Sequence, residues 1–172
     1  MKLRFILPAL LLLVSFTACK VDNASNSTPT LMLYSPKING DSVIKMKYTD
    51  ETLTMVKLDS LHVNDSVVMM IIADAHANNL TELTITPNDT SSVKIIIPDS
   101  INKYVSAGSD VKAGKFMFDN TVSFYYPLTF IPKKPNETFK FSFSVKSDAK
   151  DVPNQSMFGI TFPIKPMRTK IK

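Results

Sequence analysis

The run Phe139-Lys140-Phe141-Ser142-Phe143-Ser144-Val145-Lys146 constrains the fold more than any other stretch. Every second side chain is large and apolar, and those between are polar. Successive side chains of a strand point to opposite faces, so this pattern buries one face of a sheet and leaves the other to water. The same period of two recurs from Leu31 to Ile164. It predicts strands over 31–34, 43–48, 53–58, 61–63, 67–73, 80–86, 93–97, 116–118, 122–130, 139–145 and 158–164. Turn signals separate them: Pro36 with Asn39-Gly40, residues 49–52, Asn64-Asp65, Pro98, Asp119-Asn120 and residues 148–154. Residues 67–73 are almost wholly apolar, which predicts a central strand, buried on both faces or at the heart of a sheet. Residues 116–118 and 122–130 are expected to pair as a hairpin around Asp119-Asn120. Pro127 lacks a ladder donor, so its strand is expected at an edge or with a bulge there, and Pro163 predicts an edge for the last strand. Residues 99–115, with Gly108 and Gly114, are the longest loop, with a helical turn near 100–105. No segment of ten or more residues carries a 3.6-residue period. Many short strands punctuated by turns predict an all-β sandwich.

A different segment precedes the strands. Lys2 and Arg4 give a positive start, residues 5–14 are apolar apart from Pro8, and Ser15, Thr17 and Ala18 are small. This is the plan of a secretory leader, and it is too short for a transmembrane helix of about 20 residues. Phe16 is too large for the third-last leader position of an ordinary signal-peptidase site. The stretch Phe16-Thr17-Ala18-Cys19 resembles a bacterial lipobox instead, with Phe16 where Leu is usual. That resemblance implies that residues 1–18 are removed and that Cys19 carries a lipid. Lys20, rather than Asp, follows the cysteine, which implies anchoring in the outer membrane; Asp22 is the one acidic residue that would favour surface display. The division expected is a leader over 1–18, a lipidated Cys19 with a flexible tether over 19–30, and a single domain over 31–172.

Cys19 is the sole cysteine, so the domain has neither structural disulfides nor cysteine-rich zinc sites to hold it. The chain has 20 Lys and Arg against 15 Asp and Glu. Removing Lys2 and Arg4 with the leader leaves 18 against 15, scattered rather than clustered. Lys165, Arg168, Lys170 and Lys172 form a basic tail, read as a frayed, soluble end. No nucleic-acid partner is expected. The ending over 139–164, an aromatic strand, an Asp-rich turn over 148–151 and a second alternating strand, resembles the last hairpin of an immunoglobulin-like or fibronectin-like domain. The resemblance implies an antiparallel β-sandwich, although the inter-sheet disulfide and buried Trp of immunoglobulin domains are missing here.

The search for chemistry yields no catalytic residue, metal site or cofactor. His62 and His76 are the only histidines, and with Asp74 near His76 they lack a convincing third ligand. Gly-x-Ser-x-Gly, His-Glu-x-x-His and phosphate-cradling glycine loops are absent from the sequence. Asp50 with Glu51, and Asp148 with Asp151, are carboxylate pairs that a glycan hydrolase would use, but both lie in expected turns. Asp148 and Asp151 also suit a calcium ion less well than turn formation. Tyr125 and neighbouring aromatics offer stacking surfaces for sugar. The expectation is a non-catalytic envelope lipoprotein, attached to the membrane by its lipid and displaying its domain to a protein or glycan partner or in a structural role. The alternatives are a glycan hydrolase and a pilus-like, strand-exchanging subunit. Asp41-Ser42-Val43, Asp59-Ser60-Leu61, Asp65-Ser66-Val67 and Asp99-Ser100-Ile101 resemble the Asp-Ser/Thr-apolar sequon of a bacterial O-glycosylation system. That resemblance makes Ser42, Ser60, Ser66 and Ser100 expected acceptors, while ordinary turn-into-strand chemistry accounts for the same tripeptides.

Overall fold

A computed structural model of the protein describes residues 26–40, 42–49, 51–52 and 54–168. The leader, Cys19, Asp41, Asp50, Leu53 and residues 169–172 lie outside these. The strands are β1 (Thr30–Ile38), β2 (Ser42–Val43), β3 (Met46–Tyr48), β4 (Met55–Leu58), β5 (Leu61–His62), β6 (Val67–Asp74), β7 (Leu80–Pro87), β8 (Val93–Ile96), β9 (Lys115–Thr121), β10 (Ser123–Pro132), β11 (Asn136–Ser147) and β12 (Gln155–Lys165). They form a five-stranded sheet, β2-β1-β6-β10-β8, and a seven-stranded sheet, β3-β4-β12-β11-β7-β9, with β5 also pairing β12. The two sheets pack as a sandwich, as the alternation requires. Short 3-10 turns at Asp99–Lys103 and Val111–Ala113 interrupt the long segment between β8 and β9.

The core lies where the inward faces meet. Phe139, Phe141, Phe143 and Val145 of β11 are buried, as are Phe158, Ile160, Phe162 and Ile164 of β12. Phe130 of β10 crosses from the five-stranded sheet to meet Phe141 edge-on at 5.1 Å and Phe162 at 5.6 Å between ring centroids. Offset and edge-to-face rings of this kind add about 0.5–1.5 kcal/mol per pair beyond their burial.

The topology differs from the sequence expectation at several points. Residues 116–118 and 122–130 do not form a hairpin. β9 pairs with β7 in one sheet and β10 with β6 in the other. The chain switches sheets at Val122, between β9 and β10, because Phe116 and Phe118 pack across the sandwich on Phe124 and Tyr126 rather than beside them. The expected strand 43–48 is two strands, one in each sheet, and Ile44 between them is buried in the core. The pairing is mixed rather than purely antiparallel, since β4 and β5 run parallel to β12. Pro36 does not end the first strand; it falls within the register shift between Tyr34 and Lys37.

Neither β10 nor β12 is an edge strand, but Pro127 and Pro163 each sit where the ladder is interrupted. β10 lies between β6 and β8, but β8 pairs only with Thr129–Pro132. Ala75 donates to the Val122 carbonyl, and from that bond the alternation along β6 turns the Pro127 nitrogen away from β6. Its missing N–H therefore faces the side where β8 has already ended. Pro163 sits between the parallel pairings of β4 and β5 and beside the bulge of β11 between Asn136 and Phe139. The ladder is interrupted there on both sides. The chain also joins the domain before residue 31. Lys150 N donates to Asn26 Oδ1 at 2.7 Å, Asn78 Nδ2 to the Ser27 carbonyl at 3.2 Å, and Thr30 opens β1.

Candidate binding face

The two outer faces of the sandwich differ in chemistry. On the seven-stranded sheet, β11 presents Lys140, Ser142, Ser144 and Lys146, and β7 presents Glu82, Thr84 and Thr86. Glu82 joins this face together, at 2.8 Å from Lys146 Nζ and 3.5 Å from Lys115 Nζ. The hydrogen bond from Lys146 holds the Glu82 carboxyl below its ordinary value.

The outer face of the five-stranded sheet is apolar. The register of β1, β6 and β10 sets Met32, Ile72 and Tyr125 in one row, and Tyr34, Met70 and Pro127 in the next. A third row runs from Val68 through Thr129 to Ile96 of β8. Tyr34 is 65% exposed, Tyr125 60% and Met32 52%. The two tyrosines are offset by one row across β6, so their rings flank the Met70–Ile72 stripe. Lys37 and Lys94, both exposed, stand at the rim.

The physical origin of this face is β6. Its residues alternate between buried (Val67, Met69, Ile71, Ala73) and partly exposed (Val68, Met70, Ile72) positions, although both sets are apolar. The strand is central, as the sequence predicted, but only its inner face is fully covered. An apolar residue on a solvent-facing sheet position gains nothing from water, and adjoining rows of them form a patch rather than scattered exposures.

The other candidate residues are dispersed. Asp148 and Asp151 line one shallow depression with Asn79 and Lys150. Both Asp148 oxygens are engaged by Asn79, at 2.8 Å from its backbone N and 3.0 Å from Nδ2. Those bonds, the backbone one foremost, hold the Asp148 carboxyl below its ordinary value. The side chain thus clamps the β6–β7 turn onto the β11–β12 turn. Asp151 adopts a left-handed backbone conformation, φ 63°, within that second turn. Asp50 lies outside the described residues, and Glu51 is an exposed turn residue between β3 and β4.

His62 and His76 sit at opposite ends of β6. His76, at φ 58°, donates its backbone N–H to Asp74 Oδ1 at 2.6 Å. His62 donates its backbone N to the buried Asp65 at 2.9 Å, and Arg168 Nη2 approaches the same carboxylate at 3.4 Å. Arg168 is thereby tied to the domain rather than frayed. Among the described residues no cluster of three or more His, Cys, Asp or Glu is placed to hold a metal ion. Ser100 is exposed in the 3-10 turn, Ser60 and Ser66 are half-buried, and Ser42 opens β2. Ser66 N donates to Asn39 Oδ1 at 2.8 Å, which fits turn chemistry at that tripeptide.

Comparison with known proteins adds little to this geometry. No family model and no curated protein sequence matches the chain. Among solved structures, a family 123 glycoside hydrolase from Clostridium perfringens is similar over 82% of this chain, with a TM-score of 0.40 and 11% sequence identity. The chain spans 28% of the length of that enzyme.

Proposed function

We propose that the protein is a non-catalytic binding module of the bacterial cell envelope, held at the outer membrane by a lipid on Cys19. It binds a protein partner through the outer face of its five-stranded sheet. The observation that carries this reading is the contrast between the two outer faces, one polar and laced with charges, the other apolar with two exposed tyrosines. Tyr and Met are enriched in the centres of protein interfaces, and Lys at the rim is the usual arrangement. A sugar would use the tyrosine rings but would also need hydrogen-bonding side chains around them. The rows between Tyr34 and Tyr125 supply Met70, Ile72 and Met32 instead. Lys37 and Lys94 suit a partner with an acidic rim.

The lipid supplies location rather than affinity. Seven residue steps separate Cys19 from Asn26, which reach at most about 25 Å. The domain would therefore stand close to the bilayer, with the β6–β7 and β11–β12 turns nearest the anchor because Asn26 and Ser27 bond to them. O-glycans on one or more of Ser42, Ser60, Ser66 and Ser100 complete the proposal, with Ser100 more accessible than Ser60 and Ser66.

A photo-crosslinking residue placed at Tyr125 in the native host tests the reading, with the same residue at Ser142 on the opposite sheet as control. A discrete adduct from position 125 and none from position 142 is the expected outcome. No adduct from position 125, or one equal to twice the protein's own mass, contradicts a separate protein partner.

A further inference from the structure

The outer edge of β1 is paired over only part of its length. β2 pairs with Lys37 and Ile38, and Ile44 N donates to the Pro36 carbonyl. Residues 30–34 pair with β6 on one side and with no described strand on the other. The alternation that turns the Pro127 nitrogen away from β6 points the backbone of Asp74, Ile72 and Met70 towards β1, where Thr30, Met32 and Tyr34 meet them. The N–H and C=O of Leu31 and of Leu33 therefore face the open edge. Among the described residues none of these groups has a hydrogen-bond partner there.

An open edge is a template for another strand, and the other edges of the sandwich are blunted. β3 and β8 are three and four residues long and carry Lys47 and Lys94. On β9, Met117 N donates to Ser109 Oγ and its carbonyl accepts from Ser106 N, both at 2.8 Å. The part of β10 beyond β8 contains Pro127, and residues 103–106 stand beside its start at Ser123 and Phe124. On β1 the register shift, Pro36 and Lys37 all fall towards the end that β2 covers. Leu31, Met32, Leu33 and Tyr34 carry neither charge nor proline. Leu31 and Leu33 are only partly buried against the core, and Met32 and Tyr34 are exposed on the outer face. A strand laid beside them meets apolar neighbours on both of its faces.

We propose that the open edge of β1 takes an extended segment of the protein partner, about five residues long and apolar on both faces, as an added antiparallel strand. Leu31 and Leu33 each exchange an N–H and a C=O bond with it. The partner residue opposite Met32 continues the row of Met32, Ile72 and Tyr125, so the added strand widens the binding face. The inference rests on the reading of that face as the partner-binding surface, and it specifies the form of the partner. A second copy fits less well, because antiparallel pairing of two β1 strands would send their tethers in opposite directions from one bilayer.

Hydrogen exchange resolved to single amides compares the purified full chain with the chain in membrane fractions of its native host. Exchange at Leu31 and Leu33 should slow about tenfold or more in the membranes, while Met32 and Tyr34, bonded to β6, are slow in both. Unchanged exchange at Leu31 and Leu33 overturns the proposal. The photo-crosslinking residue at position 125 is also combined with Leu33→Pro and with Leu33→Ala. Both variants lose the leucine side chain, but only proline removes the outward N–H, and it leaves the bonds to β6 in place. The adduct should persist in Leu33→Ala and be lost from Leu33→Pro, with urea midpoints showing that both fold; if Leu33→Pro does not fold, the exchange result decides. An adduct equally strong in the two variants overturns the added strand and leaves the binding face standing. Protection of Leu31 and Leu33 with no adduct from position 125 upholds the added strand and contradicts the binding face. Protection accompanied by an adduct of twice the protein's own mass assigns the edge to a second copy and overturns the proposal.

Discussion

Phe141 is the residue on which the packing of the two sheets most depends. It is fully buried, and four rings surround it: Phe130 at 5.1 Å, Phe139 at 5.0 Å, Phe143 at 6.0 Å and Phe162 at 6.4 Å. Truncating a buried phenylalanine to alanine costs about 3–5 kcal/mol, as lost transfer energy and an unfilled cavity. Two of these neighbours meet Phe141 edge-on, which places Phe141→Ala in the upper part of that range, about 4–5 kcal/mol. Against a typical total stability of about 5–15 kcal/mol, such a loss lowers the melting temperature by roughly 10–20 °C. Phe141→Asp should be more severe, since it buries an unpaired carboxylate. Tyr125→Ala, outward on the other sheet, should change stability by no more than about 0.5 kcal/mol. Urea denaturation followed by far-UV circular dichroism measures all three. A loss below about 1.5 kcal/mol for Phe141→Ala, or one equal to that of Tyr125→Ala, would refute the assignment of the inner face.

Four further outcomes are expected. Gly114→Ala should destabilise by about 2–4 kcal/mol in the same assay, because a Cβ there would stand 2.2 Å from the Ile85 carbonyl oxygen and φ is +77°; an unchanged midpoint would mean that the segment is not held against β7. Tyr126 keeps its proton up to about 12, whereas a phenol in the unfolded chain ionises near about 10. The folded state therefore holds more protons over that window, its stability falls as pH rises from about 10 towards 12, and Tyr126→Phe should lessen the decline between urea midpoints at about pH 9 and 11.5. Palmitate-analogue labelling of cells should mark the unaltered protein and not Cys19→Ala; equal labelling of the two excludes the anchor. Intact-mass spectrometry of protein from the native host should show hexose-sized increments beyond the acyl chains, which a variant with Ser42, Ser60, Ser66 and Ser100 all replaced by alanine should lack.

Much of the fold was legible because a half-buried strand writes its two faces into the sequence as alternation. The inward positions of β11 and β12 fall on the residues that the pattern selects, from Phe139 to Ile164. The pattern does not say which sheet a strand joins. β9 and β10 read as a hairpin because a short turn separates them, yet aromatic packing across the sandwich sends them to different sheets. Ile44 is one apolar residue in a run that reads as continuous, and only its place in the core shows that the chain crosses there. The apolar run of β6 fitted either a strand buried on both faces or one at the heart of a sheet, and the second holds: β6 is central, while no helix or sheet among the described residues covers its outer side.

Radical footprinting of tyrosines in intact cells tests the central claim most directly. Tyr34 and Tyr125 lie on the proposed face, and Tyr48, 50% exposed, lies on β3 of the other sheet. In the purified protein all three should be modified readily. In cells Tyr34 and Tyr125 should be protected several-fold relative to Tyr48, because a partner covers the face. Equal modification of the three tyrosines in cells would contradict the assignment of the five-stranded sheet as the binding surface.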